Sequence, residues 1–168
     1  MLLATVDLGF PDGISHPQVV PLTGRPAVRR SAGADWNDLA AHQIWTDVQA
    51  MLRDVNAPRQ AQGLTTLVLD PRLCELARAH ALDMVARSYF SHDSPEGLSP
   101  FDRMERAGVR YQYAGENMAL DQDESHASRA LWNSSGHRSN ILEPNYGKIG
   151  IAAVRSGDSE IFVEDFSN

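Results

Sequence analysis

The order of two hydrophobic spacings constrains this chain more than any other feature. Three- and four-residue steps come first, and two-residue alternation comes last. Trp36, Ala40, Ile44, Val48, Met51 and Val55 form one apolar helical stripe. Asp35 can cap its start, and the helix should end near Gly63. Asp70-Pro71 signals a second helix, an N-cap aspartate followed by proline at the first helical position. Its stripe is Leu73, Ala77, His80 and Met84. Ser88 to Pro100 reads as a loop, followed by a short helix from Ser99 to Ala107 that Gly108 stops. A helix from about Glu124 to Asn133 comes next, and Ser134 or Ser135 can cap a short one carrying His137 to Leu142. Ala114 to Leu120, Ile149 to Val154 and Glu160 to Phe166 alternate as strands, the last two joined around Ser156-Gly157-Asp158. Helices first and strands late favour an α+β fold with a mostly antiparallel sheet over a doubly wound one.

Residues 1–34 differ from the rest. Pro11-Asp12-Gly13, Pro17, Pro21, Gly24, Pro26 and Gly33 are turn formers. We read this stretch as an extended or partly disordered N-terminal arm, with Leu2 to Phe10 a candidate strand. Residues 35–168 then form one domain, since 168 residues suffice for one substantial core and not two large ones.

Composition excludes several classes. A net charge of −7 without a basic tract makes nucleic acid an unsuitable partner, because phosphate affinity comes from clustered Lys and Arg. No run approaches the roughly 18 apolar residues of a membrane span. The single cysteine, Cys74, rules out an internal disulfide framework and a multi-cysteine zinc site. The opening residues Met1 to Asp7 lack the basic and apolar regions of a signal peptide. The chain is then either cytosolic or one whose leader was removed.

Few residues point to chemistry. Glu116 shares a strand face with Ala114, Met118 and Leu120. Either it is buried, and needs a cation, good donors or a metal, or it sits at an edge and reaches water. His137 follows Ser134-Ser135-Gly136 at a predicted helix start, which disfavours a protonated imidazole, although on spacing alone a capping or packing role is the favoured one. His92 lies in a loop between Ser91 and Asp93. His80, on an apolar helical face, reads as a hydrogen-bonded core histidine. Cys74 has no activating neighbour and reads as structural. No nucleophile motif, phosphate loop or H-E-x-x-H is present.

Taken in order, several segments resemble one family. They are Asn56-Ala57-Pro58-Arg59, Leu67 to Leu73, Tyr89-Phe90-Ser91-His92, Ser94-Pro95-Glu96-Gly97, Gly115-Glu116-Asn117, Trp132 to Leu142, Ile149-Gly150-Ile151-Ala152 and Asp165-Phe166. The series resembles the bacterial form of the CAP domain, the superfamily of cysteine-rich secretory, antigen 5 and pathogenesis-related proteins, also called the SCP domain. The resemblance implies an α-β-α sandwich with a central, mostly antiparallel sheet. It also implies that His92, Glu116 and His137 converge in one cleft, as three of the family's four His/Glu cleft residues. In some members that cleft binds a divalent cation, often zinc, and two imidazoles, a carboxylate and water make a sensible tetrahedral set. Eukaryotic members carry a second glutamate three residues after the tryptophan matched by Trp132. Here that position is Ser135, a poor ligand and a poor base. Asn117 should face away from the cleft and hold backbone, and Arg138 should pair with a carboxylate of the fold.

The resemblance thus implies an exported or cell-surface ligand-binding module, its cleft taking a small molecule, lipid or peptide through His92, Glu116, His137 and Ser135. A divalent cation, zinc, at His92, Glu116 and His137 is an optional cofactor in this reading. The alternatives are a metal-assisted hydrolase with Glu116 as base and a structural domain with a vestigial cleft. Catalysis is the less favoured class, and oligomeric state and ligand identity stay open.

Overall fold

The computed structural model describes residues 2–5 and 36–168, with side chains from residue 42 onward. The elements run β1 (Leu2–Thr5), α1 (Trp36–Ala61), β2 (Val68–Leu69), α2 (Pro71–Arg87), α3 (Pro100–Arg106), β3 (Ala114–Asp121), α4 (Glu124–Asn133), α5 (Ser135–Ile141), β4 (Lys148–Ser156) and β5 (Ser159–Ser167). The expected arm beyond Thr5, the Asp35 cap and the remainder of the Leu2–Phe10 strand lie outside the described residues. What is described of that strand pairs antiparallel with β3, Leu2 opposite Leu120.

Local chemistry accounts for the boundaries. At α2 the Asp70 carboxylate accepts from the Arg72 and Leu73 amides at 2.9 and 3.1 Å. Ser99 and Asp102 form a reciprocal capping box at α3. The α1 chain reverses at Gly63, whose φ of +71° suits glycine. Ser134 occupies the N-cap position of α5 but makes no side-chain cap bond, so neither serine caps it as expected.

The strands order as β1-β3-β5-β4-β2. All pairings are antiparallel except β2 with β4. Two residues are too few to show an alternating pattern, so β2 had no sequence signal. One face of the sheet packs Ala119, Ile149, Ile151, Phe162 and Phe166 against Val48, Met51 and Val55 of α1 and Leu131 of α4. The other packs Met118, Ala152, Ile161 and Val163 against Ala77, Ala81 and Met84 of α2. The result is an α-β-α sandwich. Helix α2 approaches β4 closely, since a Cβ on Gly150 would stand 2.1 Å from the Leu73 carbonyl carbon.

Two side chains tie the helical layer to the loops. Asn56 brackets Leu67, donating to its carbonyl at 2.9 Å and accepting from its amide at 2.7 Å. Arg59 has no solvent exposure and donates to the carbonyls of Thr65, Ile141, Glu143 and Tyr146 at 2.9 to 3.1 Å. Replacing it would orphan four acceptors, two of them in buried bonds. Arg59→Met should lower unfolding free energy by about 3 kcal/mol or more in urea titrations. A loss below about 1 kcal/mol would show that water replaces the guanidinium.

Candidate functional site

Strand alternation sends the two polar residues of Gly115-Glu116-Asn117 to opposite faces of β3. Glu116 goes to the α2 face with Met118, and Asn117 goes to the α1 and α4 face with Ala119. Gly115 is required by crowding, since a Cβ there would lie 2.5 Å from Tyr146 Oη. Each polar side chain then anchors its own network.

Glu116 has no solvent exposure, so the edge alternative is excluded. Its Oε1 accepts from His92 Nδ1 at 2.6 Å, and its Oε2 from Arg103 Nη2 at 2.6 Å. Arg103 projects from α3 and also donates through Nη1 to the carbonyls of His92 and Leu98 at 2.7 and 3.2 Å. One guanidinium therefore fixes the carboxylate and the loop that carries His92. Burial alone would push the Glu116 carboxyl up. The His92 hydrogen bond and the Arg103 charge outweigh it and hold the carboxyl at about 2.

A carboxylate can only accept, so the His92 proton sits on Nδ1. Nε2 of that ring is buried and has no partner among the described residues. Directly across from Glu116, on β5, lies Asp165, 2 % exposed. Burial, and next the Glu116 charge, push its carboxyl well above the usual range. Its Oδ1 also lacks a partner among the described residues. His80 completes this side: its Nε2–H donates to the Ser91 carbonyl at 2.9 Å, and burial lowers its basicity. It is the core histidine expected.

On the opposite face Asn117 Nδ2 donates to the His137 carbonyl at 3.2 Å and to Glu164 Oε2 at 3.0 Å. Asn140 of α5 donates to Asn117 Oδ1 at 2.9 Å. Burial first, helped by the charges of Glu124 and Asp54, pushes Glu164 up to about 7.

The structure thus brings His92 and Glu116 into direct contact. His137 is buried on α5, and its backbone carbonyl joins the Asn117 network on the other face. Ser135 is exposed at the first turn of α5. Among the described residues no three His, Cys, Asp or Glu side chains are grouped to hold a metal ion. A dication does not suit this arrangement, because a guanidinium already stands on the Glu116 carboxylate and no further acid or imidazole is grouped with it and His92 to complete a ligand set. Two hollows, of about 610 and 280 Å³, lie elsewhere. One is beside the start of α2 and the other lies between α1 and α2, near Cys74 and Ile151. Arg138 pairs with no acid among the described residues. It donates to the Trp132 carbonyl at 3.0 Å and stacks its guanidinium over that ring at 5.8 Å.

With this geometry in view, the family model of the CAP, cysteine-rich secretory protein family matches residues 52–166. This chain belongs to the CAP family. An extracellular protein containing an SCP domain from Bacillus anthracis has a similar structure, with TM-score 0.72 and 29% identity, covering 82% of this chain and 45% of that one. An outer surface protein of Borrelia burgdorferi shares the fold at TM-score 0.68 and 21% identity, covering 73% and 92%. The uncharacterised protein YkwD of Bacillus subtilis is 48% identical over 103 residues, 61% of this chain and 40% of the relative. The uncharacterised membrane protein YlbC of the same species is 34% identical over 124 residues, 73% and 36%. The CAP chain described here therefore matches only about two fifths of the length of its curated relatives.

Glu164 sets a pH dependence. Its pKa in the folded protein lies above the unfolded value, so the folded state binds the proton more tightly. Its contribution to stability is full at acidic pH, falls as pH rises past about 4.5, and is gone above about 7. Glu164→Gln mimics the neutral acid. Urea midpoints should show the variant more stable than wild type at pH 8, by on the order of 1–3 kcal/mol, and little different at pH 5. An equal difference at both pH values would contradict a proton on Glu164.

Proposed function

We propose that this CAP domain is an exported or cell-surface ligand-binding module whose recognition point is the His92 side of the buried Glu116 cluster. One observation carries the reading. His92 is locked through Nδ1 to Glu116 while its buried Nε2 has no partner among the described residues. Native folds pair the great majority of buried polar atoms, and the exceptions call for an explanation. A ligand group that donates a hydrogen bond supplies one. Asp165 Oδ1, a second buried oxygen without a partner among the described residues, lies on the same sheet face. A small molecule, lipid or peptide bearing hydroxyl or N–H donors suits such a site.

The similarity to an extracellular Bacillus anthracis protein and to a Borrelia outer surface protein supports the cellular address. Among the described residues no helix is long and apolar enough to cross a membrane. A hydrolase has less support. Glu116, with both oxygens bonded, is not free to act as a base, and Ser135 stands away on the surface. A structural role is the second reading, favoured because neither described hollow is lined by His92, Glu116 or His137.

A thermal-shift panel of fatty acids, sterols, oligosaccharides and cell-wall peptides tests the proposal, followed by histidine-selective ¹⁵N NMR. At least one class should raise the wild-type melting temperature and move the His92 Nε2 resonance. His92→Gln should lose both effects. No response from any class, or responses equal in the variant, would favour the structural reading.

A further inference from the structure

We propose that Arg103 occupies, in this chain, the role a divalent cation would play beside Glu116, so that the cluster is charge-complete without metal and excludes one. The inference stands apart from the ligand-binding reading, because it concerns which cation neutralises the buried carboxylate rather than what the cluster recognises.

Three observations carry it. The carboxylate has no solvent exposure, so its charge must be answered locally. The guanidinium that answers it stands at 2.6 Å and is 13% exposed. Two backbone carbonyls, of His92 and Leu98, hold the same guanidinium through Nη1, so it is fixed and not a swinging surface arm. The charges then close. Glu116 is negative, Arg103 is positive, and a second cation at the same carboxylate would be repelled at a buried site where Coulomb forces are poorly screened. The ligand set agrees, since among the described residues no three candidate side chains are grouped for a metal. Arg103 is a positioning residue by the same geometry. Its bonds hold the His92 backbone while its charge holds Glu116.

The position of Arg103 follows from the helix that carries it. Ser99 and Asp102 cap α3 reciprocally, and Pro100 at its first position sets the entry angle. Met104, the next residue, is fully buried with Leu73 and Ala114 and seats α3 against the start of β3. The guanidinium is therefore delivered by a packed helix rather than by a loose loop.

Zinc chloride titration of the chelator-washed full chain, followed by calorimetry and native mass spectrometry, tests the proposal. Wild type should show no cleft binding below about 100 µM zinc. Any weak binding from exposed His42 or the His126–Asp123 pair should be unchanged in Glu116→Gln, which supports the proposal because Glu116 then contributes nothing. Arg103→Met removes the resident cation, and its zinc affinity should rise at least tenfold over wild type, with the gain lost in the Arg103→Met, Glu116→Gln double variant. Stoichiometric micromolar zinc on wild type that Glu116→Gln abolishes would overturn the proposal. So would a folded Arg103→Met protein with no gain, since the excluding charge would then lie elsewhere. If Arg103→Met does not fold, the wild-type and Glu116→Gln titrations decide alone.

Discussion

A carboxylate sealed inside an apolar layer is the constraint around which this CAP domain is arranged. Glu116 lies on the α2 face with no solvent exposure, and an unpaired charge there would cost several kcal/mol. The surrounding structure supplies the answer from two separate segments. His92 arrives from the loop after α2, and Arg103 arrives from α3. The same guanidinium bonds the His92 backbone, so the two donors are not independent. Loop, helix and strand are clamped at one point.

The sheet divides the polar interior into two networks, one on each face. Glu116 and Asp165 face α2 together, opposite each other in register. Asn117 and Glu164, also opposite in register, face the other helices. Each pair thus joins one hydrogen-bond hub to one acid raised by burial or by a neighbouring charge. Burial raises the carboxyl pKa of both consecutive acids, Glu164 and Asp165, so that each takes up a proton more readily than a surface acid. This gives the domain an acid-leaning stability profile on β5 and the reverse at Glu116.

Much of this was legible in the residues. The helical stripe through Val48, Met51 and Val55, the Asp70-Pro71 start and the alternation in β3 to β5 each reflect a strong local preference. Those preferences agree with the tertiary packing. The oddity of Glu116 was also readable, as an acid on an apolar face in need of a partner. Which partner was not. Arg103 sits in a short helix of ordinary charged surface residues, and nothing local separates it from Arg106 or Arg110. Its role depends on how α3 docks, which is a tertiary fact. Arg59 was hidden for the same reason, its acceptors lying up to 87 residues away. Buried acids on β5 escaped because a carboxylate on a strand edge and one beneath a helix look alike in a sequence. The expected pairing of Arg138 with an acid failed where an aromatic ring and a carbonyl, both six residues upstream, offered a nearer partner.

Glu116 stays ionised in the folded protein because an arginine and a histidine hold it so. Carbon-13 NMR of the glutamate side-chain carboxyls, with Glu116 assigned by substitution, reads this directly across a pH series. The Glu116 signal should keep its ionised position down to about pH 3, or until the fold is lost. A signal that titrates at or above 4.5 while the fold is intact would contradict this, and the buried cluster would need another source of charge.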